Sequence, residues 1–589
     1  MSIKKTIILF LILLVMGGYY YTRVNLSEKQ QKQEEAAKKI FTTTEETLQE
    51  ISIKRQDEEI VLKKQEKSWK MLQPVEASTD DEAVQRLITE FANAEQKKTI
   101  ADDTSQDQEF GLNQPQLTVI VKGQEGSSPM QLAIGNETPT TSGYYARVDN
   151  QEKVVLISSL VKTGLDKSMY DLRDKTILAF EPTQVKKAIL TLPSEAHQSV
   201  ELEQEQEAWK IVVPRQYQAD TEKMNALLSK ITSSSIKAFI VEKDENLAQY
   251  GLDQPEATLS LFVGDDKSQK TLFLGKKNAS EDGVYAKHEG AENIFLVDAT
   301  ILDEFPKSVN DLRNKTVLSF KSPDIQKIEL ASPQETIVVE RESEEEWQIT
   351  QPETLKADGA EIQQFLSDVG LLTAQQFVSD PAEDLAQYGL DSPPLSIRLW
   401  EKAQETPYEL LLGSSDPEHQ RIYAKMGHQD DVVLVKADAL EQLHKTVFDL
   451  RYKKILSFDR AQVEKIQLAY SEQTLVLEKD GDNWKASEPE SKKVAFFKVN
   501  NLLYELNDLE FTQKLDEPEA DLSQYGLVEP ELALTLWDDT KNELFTLLIG
   551  KSTETQDVCY VKVASETAVY AIDPQFLQEF PKNPTDLDE

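Results

Sequence analysis

The chain has 589 residues, 39% hydrophobic and 29% charged, a composition that supports buried cores and excludes both a chain embedded in membrane throughout and a disordered one. Its 104 acidic and 64 basic residues give a net charge of −40, which repels phosphate backbones and excludes nucleic acid as a natural partner. A single cysteine, Cys559, excludes an intrachain disulfide.

The first element is "KKTIILFLILLVMGGYYYTR". Lys4 and Lys5 precede an uncharged run from Thr6 to Thr22, and Arg23 follows it. The run is at the short end of a membrane span, and the lysines set the amino terminus inside. Tyr19, Tyr20 and Tyr21 suit the far interface. The pattern predicts a cytoplasmic tip at 1–5, a single-pass anchor at 6–22, and the rest of the chain outside the cytoplasm. A cleaved signal peptide is the alternative. Residues 23–47 are polar and rich in helix formers, with no apolar stripe, and predict a stalk.

Beyond the stalk the chain repeats itself. "LAQYGLDQP" at Leu247 returns as "LAQYGLDSP" at Leu385, with weaker copies "LSQYGLVEP" at Leu522 and "EFGLNQP" at Glu109. The glycines of these copies, Gly111, Gly251, Gly389 and Gly526, are 140, 138 and 137 residues apart, the size of a domain rather than a solenoid turn. The expected units are repeat 1 at 48–180, repeat 2 at 181–320, repeat 3 at 321–458 and repeat 4 at 459–589.

Within each unit the elements follow in the same order. In repeat 2, "VKKAILTL" and "SVELEQEQEAWKIVV" read as a hairpin ending near Trp209, which like Trp69, Trp347 and Trp484 stands 42 residues before its glycine. Asp220 then caps a helix whose Met224, Leu227, Leu228 and Ile231 share one face. The YGLxxP motif ends a short helix, its glycine taking the left-handed conformation, and launches a strand. A Leu-x-x-Gly strand ends 24 residues after each glycine, at Gly135, Gly275, Gly413 and Gly550. The alternation of these segments predicts an antiparallel meander, so the fold class is α+β: four tandem repeats, each an antiparallel sheet packed with helices, behind a transmembrane helix.

Two recurrent patterns are candidate sites. Tyr145, Tyr285, Tyr423 and Tyr560 stand 34 residues after each glycine, with Arg147, Lys287, Lys425 and Lys562 two positions on. Residues two apart in a strand face the same way, so ring and cation offer a repeated interaction face. Packing at the sheet margin explains the same pattern. Asp-Leu-Arg, ending in Arg173, Arg313 and Arg451, occurs only where another copy follows, and suits a clamp between repeats; a surface helix end next to a linker explains the same pattern.

No recognisable catalytic motif accompanies these patterns. His197, His288, His419, His428 and His444 lack ligand spacing, the acidic clusters at Asp102 and Ser280 lack the order of a calcium loop, and Cys559 occupies a hydrophobic strand position. The expectation is a protein that is not an enzyme and carries no cofactor or metal.

With YGLxxP, the Leu-x-x-Gly strand, Tyr-Ala-Lys and Asp-Leu-Arg-x-Lys in this order, the chain resembles the bacterial family called domain of unknown function 4340. The first copy departs most, with Phe110 and Asn113 replacing the tyrosine and aspartate of the motif. The resemblance implies no activity and no catalytic residue. It implies a membrane-tethered, extracytoplasmic protein at the bacterial cytoplasmic membrane, associated with ABC-type (gliding-type) transport systems. The expected function is a scaffold or auxiliary subunit that binds protein partners, transporter subunits among them. The alternatives are an envelope module that binds a peptide, glycan or small solute, and an envelope hydrolase.

Overall fold

A computed structural model describes residue 16, residues 38–41, 43 and 47–588, except 67, 125–126, 150, 194–197, 245, 380–383, 417, 419, 428, 517, 519–520 and 552–557. The expected tip, the anchor apart from Met16, and most of the stalk lie outside the described residues, as do His197, His419 and His428. Among the described residues no helix is long and apolar enough to cross a membrane.

The chain forms two compact units, Met1–Asn314 and Lys315–Glu589. Each carries two copies of one antiparallel sheet. In the first copy the strands are β1 (Glu50–Lys54), β2 (Glu59–Gln65), β3 (Ser68–Gln73), β4 (Ala77–Ser78), β5 (Gln96–Ala101), β6 (Leu117–Lys122), β7 (Met130–Glu137), β8 (Tyr144–Val148) and β9 (Val154–Ile157). Their order in the sheet is β4-β3-β2-β1-β6-β7-β8-β9-β5, and the other three sheets repeat it strand for strand.

Two meanders therefore meet where β1 pairs with β6. Ile51 and Ile53, fully buried, face Leu62 and Ile60 on one side and Val121 and Val119 on the other. The expected hairpin of repeat 2 is in fact three strands, Val185–Thr191, Ser199–Glu205 and Ala208–Val213, because Gln206 turns the chain at φ 57° before the tryptophan.

One helix per copy covers the sheet. Asp81–Ala92 (α1) buries Val84, Leu87, Ile88 and Phe91, and its counterpart Thr221–Ser233 buries Met224, Leu227, Leu228 and Ile231. Asp80, Asp220 and Asp358 cap the helices of repeats 1, 2 and 3 by accepting backbone N–H bonds. Trp69, Trp209, Trp347 and Trp484 are all buried beneath them. Each copy also has a cis peptide bond before the proline that follows its tryptophan strand, at Pro74, Pro214, Pro352 and Pro489.

The end of the expected stalk belongs to repeat 1. Ile40 donates its N–H to the Ala94 carbonyl at 2.9 Å, and buried Phe41 stacks on Phe91 at 4.3 Å between ring centroids. Two apolar residues at the end of a polar run suffice for this docking, because helix α1 already supplies the receiving ring.

Candidate functional site

The recurrent residues converge on one place in each copy, the turn that joins the short YGL helix to β6 and lies against β7. Gly111, Gly251, Gly389 and Gly526 have φ of 68°, 66°, 66° and 67°, the left-handed region, and each ends its short helix. Opposite them stands the glycine of Leu-x-x-Gly. A Cβ at Gly135, Gly275, Gly413 or Gly550 would lie 2.2 Å from the carbonyl oxygen of Phe110, Tyr250, Tyr388 or Tyr525. The second glycine is thus required by close approach of backbone, and the two motifs are one contact. In the first three copies the β7–β8 register shifts at this glycine, between Ile134 and Glu137, Leu274 and Lys277, and Leu412 and Ser415.

The tyrosine of β8 closes the same contact. Tyr145 packs on Phe110 at 4.4 Å between centroids, Tyr285 on Tyr250 at 5.1 Å, Tyr423 on Tyr388 at 4.9 Å and Tyr560 on Tyr525 at 5.1 Å. Such pairs add about 0.5–1.5 kcal/mol beyond the area they bury. The cation two residues on turns back to its own hairpin: Lys287 donates to the Ala291 carbonyl, Lys425 to those of Met426 and Gln429, and Lys562 to those of Val563 and Glu566. Repeat 1 differs. Arg147 reaches Asp107, in the short helix before Gly111, with Nη1 to Oδ2 at 2.7 Å and Nη2 to Oδ1. Ring and cation do share a face, and in every copy both have partners inside the fold.

Asp-Leu-Arg resolves into three tasks. Asp171, Asp311 and Asp449 complete capping boxes with Ser168, Ser308 and Thr446. The carbonyls of Leu172, Leu312 and Leu450 accept the N–H of the helix-capping aspartates Asp80, Asp220 and Asp358 at 3.0, 2.7 and 2.8 Å. The arginines then diverge. Arg173, 5% exposed, lies 3.6 Å over the Phe239 ring of repeat 2 and binds both carboxylate oxygens of Glu242. Arg451 lies 5.0 Å from the Phe511 ring of repeat 4, and Arg313 lies 3.9 Å over Tyr217 of its own repeat. In the fourth copy Leu587 accepts from Ala495, and Asp588 stands in the arginine position, paired with Lys492 at 2.6 Å.

The receiving residues were not among the sequence candidates. Phe239 and Phe511 stand 12 and 15 residues before Gly251 and Gly526, so no constant spacing in the repeat alignment marks them.

The remaining candidates have structural surroundings. Burial pushes the Cys559 thiol up to about 12, with the Glu531 carboxylate adding to it. His288 hydrogen-bonds the Ile177 carbonyl and packs on Phe295, and His444 follows the helix Ala439–Leu443 at the rim of an open cleft of about 680 Å³. Hydrogen bonds from Ser280, Asn278 and Lys237 hold the Asp282 carboxyl far below its usual range. Among the described residues no group of three acidic, histidine or cysteine side chains is arranged to hold a metal.

A nine-stranded antiparallel sheet with one covering helix, repeated in tandem and welded by a glycine pair, defines a multidomain repeat protein of the α+β class, mostly sheet. The family profile described as "Domain of unknown function (DUF4340)" matches residues 69–210, 209–348, 347–495 and 484–589. The chain belongs to that family, in four copies. The matched segments start at or within a residue or two of a tryptophan strand, so the profile unit begins partway through each sheet. No curated protein matches the chain. Among solved structures, the extracellular domain of a hybrid two-component system protein from B. thetaiotaomicron aligns at 10% identity over 91% of this chain and 76% of that one, with a TM-score of 0.08, too low to carry an argument.

Proposed function

We propose that this chain is a non-catalytic scaffold, anchored by residues 6–22 in the bacterial cytoplasmic membrane, whose repeats bind protein partners outside the cytoplasm, subunits of an ABC-type (gliding-type) transport system among them. The observation that carries the reading is the fate of the recurrent residues. Glycine pair, aromatic pair and cation are engaged inside the fold in all four copies, and so is the aspartate, Asp586 completing a capping box with Asn583 in the fourth, so the chain offers one frame four times with a different outer surface on each. Several weak contacts from one chain add through effective concentration, which suits assembly of a complex. The clamp residues Arg173 and Arg451 serve this reading by joining consecutive frames.

The test is crosslinking and affinity purification of the tagged full-length protein from gently solubilised membranes, with a version lacking residues 1–37 as control. Transporter subunits enriched only by the anchored form support the proposal. Recovery without any membrane protein would remove the transport part of it and leave a soluble ligand as the next object of search.

A further inference from the structure

The covering helix of repeat 4, Phe496–Asn507, departs from its three counterparts at four aligned positions. Its N-cap is Ala495, which makes no side-chain cap, where the others have Asp80, Asp220 and Asp358. Its outer face carries Phe496, Phe497 and Tyr504, 50%, 54% and 48% exposed. The aligned residues are Asp81, Glu82 and Thr89 in repeat 1, Thr221, Glu222 and Ser229 in repeat 2, and Gly359, Ala360 and Ser367 in repeat 3. The inner face is conventional, with Val499, Leu502, Leu503 and Leu506 buried. Two exposed phenylalanines and a lost cap oppose the stability of the isolated repeat, and the third aromatic, Tyr504, has a cation over its ring, Arg460 of the same repeat. Such a local exception marks a surface shaped by something outside the fold.

The charges beside the stripe identify its occupant. Phe497 and Tyr504 are seven residues apart, two turns on one face, about 10 Å along the helix. At the amino-terminal end stand Lys493 and Lys498; at the carboxy-terminal end stand Glu505 and Asp508, the latter also paired with Lys454 at 2.6 Å. Lys498 donates to the Asp586 carbonyl, and Arg460 lies 3.2 Å over the Tyr504 ring, holding it in place. A face with Lys493 and Lys498 at one end, aromatics in the middle and Glu505 and Asp508, beside Lys454 and Arg460, at the other can set lysine against carboxylate when turned end for end, Lys493 against Asp508 and Lys498 against Glu505. We propose that it is a twofold interface with a second copy of this chain, the two helices antiparallel, Phe497 of each copy against Tyr504 of the other. A twofold contact is self-complementary by construction, and opposed helix dipoles add to the charge match.

The axis of such a pair passes beside Asn501, which is exposed. The described chain has one other cysteine position, Cys559, and it is fully buried. Full-length Asn501→Cys in mild detergent at physiological salt, oxidised with copper phenanthroline, is expected to give a disulfide-linked species of twice the 66.7 kDa chain mass. Ala226→Cys, the aligned position of repeat 2, is the control for random collision. Adding Phe496→Ser and Phe497→Ser should weaken self-association about 30-fold, as loss of an aromatic hot spot does. These side chains are exposed, so folding is unaffected, and circular dichroism checks it. A monomer by light scattering with no Asn501→Cys dimer, equal crosslinking at Ala226→Cys, or indifference to the serine substitutions would each overturn the proposal and assign the stripe to a membrane or a different protein.

Discussion

Repeats 2 and 4 share sheet order, glycine contact and aromatic pair, yet differ in almost everything on the outer face of their helices. Repeat 2 has a capped helix with Thr221 and Glu222 facing out, and ends on Arg313 over its own Tyr217; repeat 4 has Ala495, Phe496 and Phe497, and ends on Asp588. The difference separates residues that the fold consumes from residues it leaves free. What recurs in these four copies is the weld between the YGL turn and β7, and what varies is the outer face of the covering helix.

The strongest way to test that division is to break the shared part in both repeats. Gly275→Ala and Gly550→Ala each push a Cβ to 2.2 Å from a backbone carbonyl, which no rotamer change relieves. Each should cost about 3 kcal/mol, the upper range for overpacking. Hydrogen-exchange mass spectrometry on peptides of the affected repeat reads this locally, as a multidomain chain requires. If one glycine tolerated alanine and the other did not, the contact would not be common to the repeats.

A smaller effect is expected where consecutive repeats meet in the first unit. Arg173→Met keeps most of the stem but removes the guanidinium from Phe239 and Glu242, and should cost about 1–2 kcal/mol. The loss should appear in exchange at residues 235–242 as well as at 168–176, since both sides of the contact lose a partner. Protection lost on one side alone would argue against a clamp.

The helix caps test the other half of the comparison, and here the two repeats should respond with opposite sign. Asp220→Ala removes the acceptor of the Lys223 N–H at 3.0 Å and should cost about 1 kcal/mol; Ala495→Asp should restore a cap and gain about as much. A gain in repeat 4 would show that its missing cap is a local stability cost. No gain would mean that its entry geometry cannot use a cap.

Much of the frame was legible because it depends on short-range periodicity. The buried stripe Met224, Leu227, Leu228 and Ile231 and the left-handed Gly251 follow from helix spacing and from the freedom of glycine. The sheet order was not legible. Pairing β1 with β6 spans helix α1 and β5, and placing β5 beyond β9 depends on which surfaces that helix covers, which no local pattern records. The Leu-x-x-Gly motif was visible as a fixed spacing of 24 residues, but its cause, the carbonyl of Tyr250 against Gly275, needs three dimensions. Likewise the cation of Tyr-x-Lys was visible, while its acceptor, a carbonyl of the next turn, carries no sequence signature.

The smallest predicted effect concerns the capping boxes before the arginines, compared between Asp171 of repeat 1 and Asp449 of repeat 3. Burial pushes both carboxyls up, but at Asp171 the Ser168 hydroxyl and backbone N–H, with Lys167 and Lys175 nearby, outweigh it and hold the group below its ordinary value. At Asp449 the Thr446 backbone and hydroxyl, with Lys445 and Lys453, do the same. A carboxyl depressed in the folded chain stabilises it above the unfolded value of about 4, and that contribution is lost as pH falls further, through the folded value. Exchange at residues 168–171 and 446–449, corrected for intrinsic rate, should therefore be flat from pH 7 to about 5 and accelerate below about 4. Ser168→Ala should flatten the acid limb at the first site and leave the second unchanged. If both limbs flattened together, the acid loss would belong to the global charge of the chain rather than to either box.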